Sequence, residues 1–234
     1  MPYCVIFDMD GVLVDSYRAH FESWQRVAAE QGVTYTEKEF AWSFGRTSRE
    51  IIKGTWGRAD YTDDQIRQID ARKEALFREI IGRAFPMMDG ARGLIDALRH
   101  AGFRVAVGSS GPPENVALAL DKLGGHDLFD AVVTGMDVQR GKPDPQVFLL
   151  AAERAGVEPG LCVVVEDARP GIEAARRAGM ASVALISTGR HEDDFKPVHP
   201  DLVVPSLRDL DPVGLQTVID GRVQSRSAGG KANR

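Results

Sequence analysis

The chain has 234 residues, more than the ~100–200 of a typical single domain, so one large or two unequal domains are expected. Its 43% hydrophobic and 27% charged residues can build a packed core, and a net charge of −5 is not that of a protein made to coat nucleic acid. No charge-poor apolar stretch is long enough to span a bilayer, and the amino terminus lacks the basic region of a signal peptide, so neither a nucleic-acid nor a membrane partner is expected. Cys4 and Cys162 lie in short apolar runs and read as buried free thiols, which makes a reducing, cytoplasmic compartment the default.

In chain order, residues 3–7 form the first continuous, β-branched apolar run, the signature of a strand covered on both faces. From about Ser16 to Phe85 the pattern is helical throughout. A first helix is expected near 16–31, ending at Gly32. Thr36-x-x-Glu39, Thr47-x-x-Glu50 and Thr62-x-x-Gln65 each read as a capping box, in which hydroxyl and acid or amide satisfy free N–H groups at a helix start. After this insertion, helices and strands alternate. Helices are expected at 91–101, 112–123, 145–155 and 170–178, with Pro at several starts and Gly past the ends. Strands are expected at 104–107, 131–134, 161–165 and 181–186. The fold class is therefore α/β, a doubly wound Rossmann-like parallel sheet with an inserted all-helical domain. The expected division is 1–15 and 87–220 for the core, 16–86 for the helical insertion, and a polar, Gly/Ser-rich tail at 221–234 expected to be disordered.

In open α/β sheets ligands bind beyond the carboxyl ends of the strands, and four polar signals sit at such ends. Asp8-Met9-Asp10-Gly11 closes the first strand with two acids. As a plain turn it would end the strand and cap the next segment. As a reactive element it supplies a carboxylate nucleophile, a metal ligand and an acid/base group. Ser109 follows the second strand and can either cap a helix or hold a phosphate oxygen; the Gly108-Ser109-Ser110-Gly111-Pro112 run has the wrong spacing for a serine-hydrolase elbow. Lys142, in Gly141-Lys142-Pro143-Asp144-Pro145, is either a solvated surface cation or one aimed at a fixed point by a restricted backbone. Glu166-Asp167 closes another strand; Asp167 can cap the next helix, or the pair can offer the hard oxygens that suit Mg2+. Together these are the parts of a phosphoryl-transfer site.

The run from Asp8 to Ser16, with Ser109, Gly141 to Pro145 and Glu166-Asp167-x-x-x-Gly171-Ile172-x-Ala174-Ala175, resembles the four motifs of the haloacid dehalogenase superfamily over about residues 1–210. The inserted helices resemble the cap of the subgroup that includes β-phosphoglucomutase and many sugar-phosphate phosphatases. The resemblance implies Asp8 as nucleophile and Asp10 as general acid/base, with Ser109 and Lys142 holding the phosphoryl group. It implies Mg2+ on Asp8, the Asp10 backbone carbonyl and Asp167, with Glu166 close by. His20 and Arg49 match residues of the family mutases, and Ser110 and Asn115 join them as candidate substrate contacts. The mutase's Lys-Asn pair after the serines is absent, and its second cap lysine has no clear match, Lys73 and Arg78 being near. The expected activity is hydrolysis of a small phosphorylated metabolite, with a phosphosugar mutase and, remotely, a non-catalytic binding protein as alternatives. The expected assembly is a monomer or weak homodimer.

Overall fold

The structure, a computed structural model, describes residues 2–44, 46–187 and 189–229. The chain divides into two compact units, Met1–Asp15 with Met87–Arg234, and Ser16–Pro86.

The first unit is built on six parallel strands: β1 (Cys4–Phe7), β2 (Arg104–Gly108), β3 (Ala131–Val133), β4 (Cys162–Glu166), β5 (Ala181–Leu185) and β6 (Leu202–Val204), in the order β3-β2-β1-β4-β5-β6. Every residue of β1, β4 and β5 is buried, as their unbroken apolar runs require of strands covered on both faces. After β1 the order grows first to one side, through β2 and β3, and then to the other from β4. The crevice between β1 and β4 is therefore the topological switch point, where doubly wound sheets bind ligands. Register fixes what meets there: Phe7 pairs with Val107 on one side and Val165 on the other, so the residues following these strands emerge side by side. Cys4 and Cys162 are register partners and remain buried free thiols. The sixth strand was not expected; three residues at the sheet edge give too short an apolar run to read.

In the second unit, α1 (Tyr17–Glu30), α2 (Glu37–Ser43), α3 (Ser48–Glu50) and α4 (Asp63–Arg83) follow one another, with a π-helical turn at Ile51–Thr55. All three Thr capping boxes form: Thr36, Thr47 and Thr62 each accept from the N–H three residues on, and Glu39, Glu50 and Gln65 reach back to the Thr N–H. Phe21, Trp24 and Val27 of α1 share a core with Phe40, Ile52 and Ile69. The π-helical turn was not foreseen.

In the first unit, α5 (Ala91–His100), α6 (Pro113–Leu123), α7 (Gln146–Ala155), α8 (Arg169–Ala178) and α9 (Pro212–Gly229) complete the α/β alternation. α9 continues to Gly229, into the segment where a polar tail is expected. Arg222 pairs with Asp201 at 2.7 Å, and between Gly221 and Gly229 no Gly or Pro interrupts the helix. Residues 230–234 lie outside the described residues. Among the described residues no helix is long and apolar enough to cross a membrane.

The loop from β3 to α7 is stiffened by polar contacts. Asp137 accepts from Thr134 N at 2.8 Å and Oγ1 at 2.7 Å and pairs with Arg154 at 2.6 Å, while Arg154 also donates to Val132 O. Gln146 Oε1 accepts from Gln139 and Arg140 N–H. The hydrogen bond from Arg154, followed by those from Thr134, holds the Asp137 carboxyl down at about 2. A folded-state value below the unfolded one of ~3.9 means that this stability is complete above the unfolded value and is lost as pH falls through about 2. Urea unfolding of Asp137→Asn should therefore show a loss of about 1–2 kcal/mol near neutral pH, solvent screening allowed for. That gap should shrink between pH 4.5 and 2.5. A gap constant with pH would assign the loss to hydrogen bonding alone.

Candidate active site

Asp8 leaves the end of β1, with its N–H donating to Val165 O across the switch point at 3.0 Å. Glu166 ends β4 and Asp167 follows it. Lys142, carried by the stiffened loop ahead of α7, inserts its ammonium between the two strands, 2.5 Å from Asp8 Oδ1 and 2.6 Å from Glu166 Oε1. Three side chains far apart in sequence thus form one buried ion-pair triad. The lysine's charge also lies over the face of Phe148, 4.8 Å from the ring centroid. Glu166 is further fixed by Ala168 N–H at 2.7 Å, and Asp167 by the Ser187 hydroxyl at 3.0 Å.

Two glycines make room for the acids. Gly11 turns with φ +77°, and a Cβ there would overlap the Asp167 carboxylate; a Cβ on Gly171 would overlap that of Glu166. A third, Gly111, donates its N–H to Ser109 Oγ at 3.0 Å. A Cβ on it would lie 3.2 Å from Ser109 Oγ and 3.9 Å from Asp10 Oδ2, so the hydroxyl and the second acid flank one small opening at the ends of β2 and β1.

The electrostatics follow from burial and crowding. Burial pushes the Asp8 carboxyl well up, Lys142 opposes it, and Glu166 and Asp167 push the same way as burial. Burial, then repulsion from Glu166, raises Asp167 to about 7 against the pull of Arg190. Burial would lower Lys142, but the attraction of Asp8 and Glu166 outweighs it and holds the ammonium firmly charged. Asp8, Glu166 and Asp167 can each offer one oxygen within 4.8 Å of the others'. Three buried acids served by one lysine leave an excess of negative charge. Hard oxygen donors with such an excess fit a divalent cation of the Mg2+ type, whose binding would remove the repulsion.

The structure therefore brings together Asp8, Lys142, Glu166 and Asp167, with Asp10 and Ser109 at the neighbouring strand ends. Ser110 is exposed, and Asn115 is buried in the first turn of α6. In the helical unit, His20 stacks on Phe77 with centroids 4.1 Å apart, and its Nδ1 lies 3.0 Å from Lys73 Nζ. Lys73 is 4% exposed and pairs with Glu74 at 2.7 Å. Arg49 is exposed and pairs with Asp63. Reading the sequence missed Ser187, although it follows β5 and so met the strand-end rule. It also missed Phe148, which looked like any core aromatic of α7.

A parallel sheet whose switch point gathers a strand-end carboxylate, a buried lysine and an acid pair is the arrangement of parts that phosphoryl transfer requires. Residues 4–179 match the family model of the haloacid dehalogenase-like hydrolases, and the chain belongs to that family. It is 33% identical over 182 residues to the phosphorylated carbohydrates phosphatase of Thermotoga maritima, covering 76% of this chain and 82% of that one. It is 30% identical over 187 residues to the β-phosphoglucomutase of Bacillus subtilis, covering 77% and 82%. The crystal structure of a β-phosphoglucomutase from Clostridium difficile superimposes with a TM-score of 0.81 over 95% of this chain and 99% of that one; at 23% identity it speaks for the fold. Relatives at this level place the chain among the phosphoric monoester hydrolases.

Gly171→Ala should force Glu166 off the lysine. The expected result is a loss of about 1–3 kcal/mol in urea unfolding, the usual cost of overpacking, together with collapse of turnover. A variant with wild-type stability and turnover would show that the Glu166 carboxylate can relocate freely.

Proposed function

We propose that the chain is a Mg2+-dependent phosphatase of a small phosphorylated metabolite, a sugar phosphate, acting through a phospho-aspartate on Asp8. The observation that carries this reading is the Lys142 bridge between Asp8 and Glu166 beside Asp167. A buried carboxylate is a poor anion and a protonated one is no nucleophile. The ammonium at 2.5 Å favours the ionised form of Asp8.

In this reading an Asp8 oxygen attacks phosphorus in line, the bond to the leaving oxygen breaks, and Asp10 gives that oxygen its proton. Asp10 then takes a proton from water, whose oxygen attacks phosphorus and frees Asp8 with release of inorganic phosphate. Ser109 and Lys142 hold phosphoryl oxygens as charge builds. Asp8, the Asp10 carbonyl and Asp167 would hold Mg2+, with Glu166 beside them; the bound ion supplies neutralisation of the acids and of the phosphoryl oxygens. His20, Arg49, Ser110 and Asn115 are the proposed contacts to the rest of the substrate.

A second reading, a phosphosugar mutase, draws on the His20–Lys73 pair, which gives the lysine a place beside the histidine that matches the family mutases. Against it stands the Ser110-Gly111-Pro112-Pro113 loop, which lacks the Lys-Asn pair. A non-catalytic binding protein is disfavoured by the presence of Asp8, Asp10, Lys142 and Asp167 together.

The test is phosphate release from a panel of phosphorylated sugars and small acids, β-glucose 1-phosphate among them, with and without Mg2+. Release that needs Mg2+ and disappears in Asp8→Asn supports the phosphatase. Glucose 6-phosphate appearing with little free phosphate supports the mutase. Asp10→Asn should lower turnover roughly 10^2–10^4-fold while keeping Mg2+ affinity. Lost affinity with near-normal turnover would overturn its assigned role.

A further inference from the structure

Asp167 is gripped from two sides. Behind it, Gly11 lets the β1 turn lie against the carboxylate where any Cβ would collide. Beside it, Ser187 Oγ donates to Oδ2 at 3.0 Å. The hydroxyl belongs to a different element, the turn leaving β5. The turn itself is pinned: Ser187 N–H bonds Leu185 O at 3.0 Å, and Arg190 N–H bonds Ser187 O at 2.9 Å. The β4–β5 register, with Glu166 opposite Ala184, carries the two chain ends out side by side. A half-buried serine, bonded through both its N–H and its C=O, thus donates to one oxygen of an acid that is 9% exposed.

We propose that Ser187 is a positioning residue for the divalent cation: by engaging Oδ2 of Asp167 it fixes the carboxylate plane and leaves Oδ1 as the oxygen offered to the ion. This rests on the Mg2+ reading of the site. Groups that hydrogen-bond a metal's carboxylate ligand orient it, and their loss characteristically weakens the metal about 10–100-fold. Removing the hydroxyl leaves the carboxylate free to rotate against Gly11 and makes ordering it part of the cost of binding.

Titration calorimetry with Mg2+ alone, on the full chain without substrate, is the direct measurement. Ser187→Ala should raise the Mg2+ dissociation constant about tenfold or more. Ser187→Thr, which keeps the hydroxyl at a half-buried position, should restore it. Turnover should split the same way, with the Mg2+ concentration for half-maximal rate rising in Ser187→Ala and the rate at saturating Mg2+ nearly unchanged. A general loosening of the fold would instead move the metal-free melting temperature and would not be rescued by threonine; that pattern overturns the inference. Equal affinities in wild type and Ser187→Ala overturn it while leaving the Mg2+ reading intact. No Mg2+ binding by the wild-type protein overturns both.

Discussion

The lysine bridge between β1 and β4 is the constraint on which the rest of the site depends. Asp8 and Glu166 stand at the ends of two adjacent, fully buried strands, and two carboxylates there repel one another unless a cation joins them. Lys142 arrives from a third place in the chain, so its position depends on the β3–α7 loop. That loop is laced by Asp137, Arg154, Gln146 and Asp144. Such a triad is weak support for stability, because taking three charges out of water costs about as much as their attraction returns. Placed at the switch-point crevice, the triad fits a poised charge distribution better than a brace for the fold.

The glycines complete the same design from the other direction. Gly11 and Gly171 contribute nothing by contact; they contribute the space into which Asp167 and Glu166 lean. The acids are held by backbone shape as well as by hydrogen bonds. Fixed dipoles and charges that need not reorganise when a phosphoryl group arrives are what electrostatic catalysis requires.

Much of this fold was legible in the chain itself. Continuous apolar runs gave five of the six strands, and the Thr-x-x-Glu/Gln spacing gave three helix starts with their side-chain bonds. What failed was what local pattern does not encode. β6 is only three residues long and gains its identity by pairing with β5. Arg222 of α9 reaches Asp201, a contact across 21 residues that composition does not reveal. At the site, Asp8, Asp10, Ser109, Glu166 and Asp167 share a strand-end position that sequence can flag, while Lys142 lies in the loop between β3 and α7. The Lys142 bridge itself spans 134 residues to Asp8, and only the strand order explains it. Ser187 obeys the same rule, but a lone serine after a strand resembles any turn residue.

The helical unit shows why substrate choice is harder to read than chemistry. Its two candidate contacts differ in how tightly they are already committed. His20 is stacked on Phe77 and bonded to Lys73, which itself lies over Trp24 and Phe77 and pairs with Glu74. These stacking, cation–π and ion-pair contacts make His20 and Lys73 a preformed unit within the helical domain. Arg49 is half-exposed, and its pairing with Asp63 is of the surface kind, worth about 0–1 kcal/mol. It can exchange that carboxylate for a phosphate at little cost. If His20 and Arg49 contact the substrate as proposed, a rigid polar pair and a readily redirected guanidinium impose different demands: the first would select shape near the histidine, the second charge. A phosphatase that accepts several sugar phosphates and a mutase that holds a bisphosphate can both be built from those two elements.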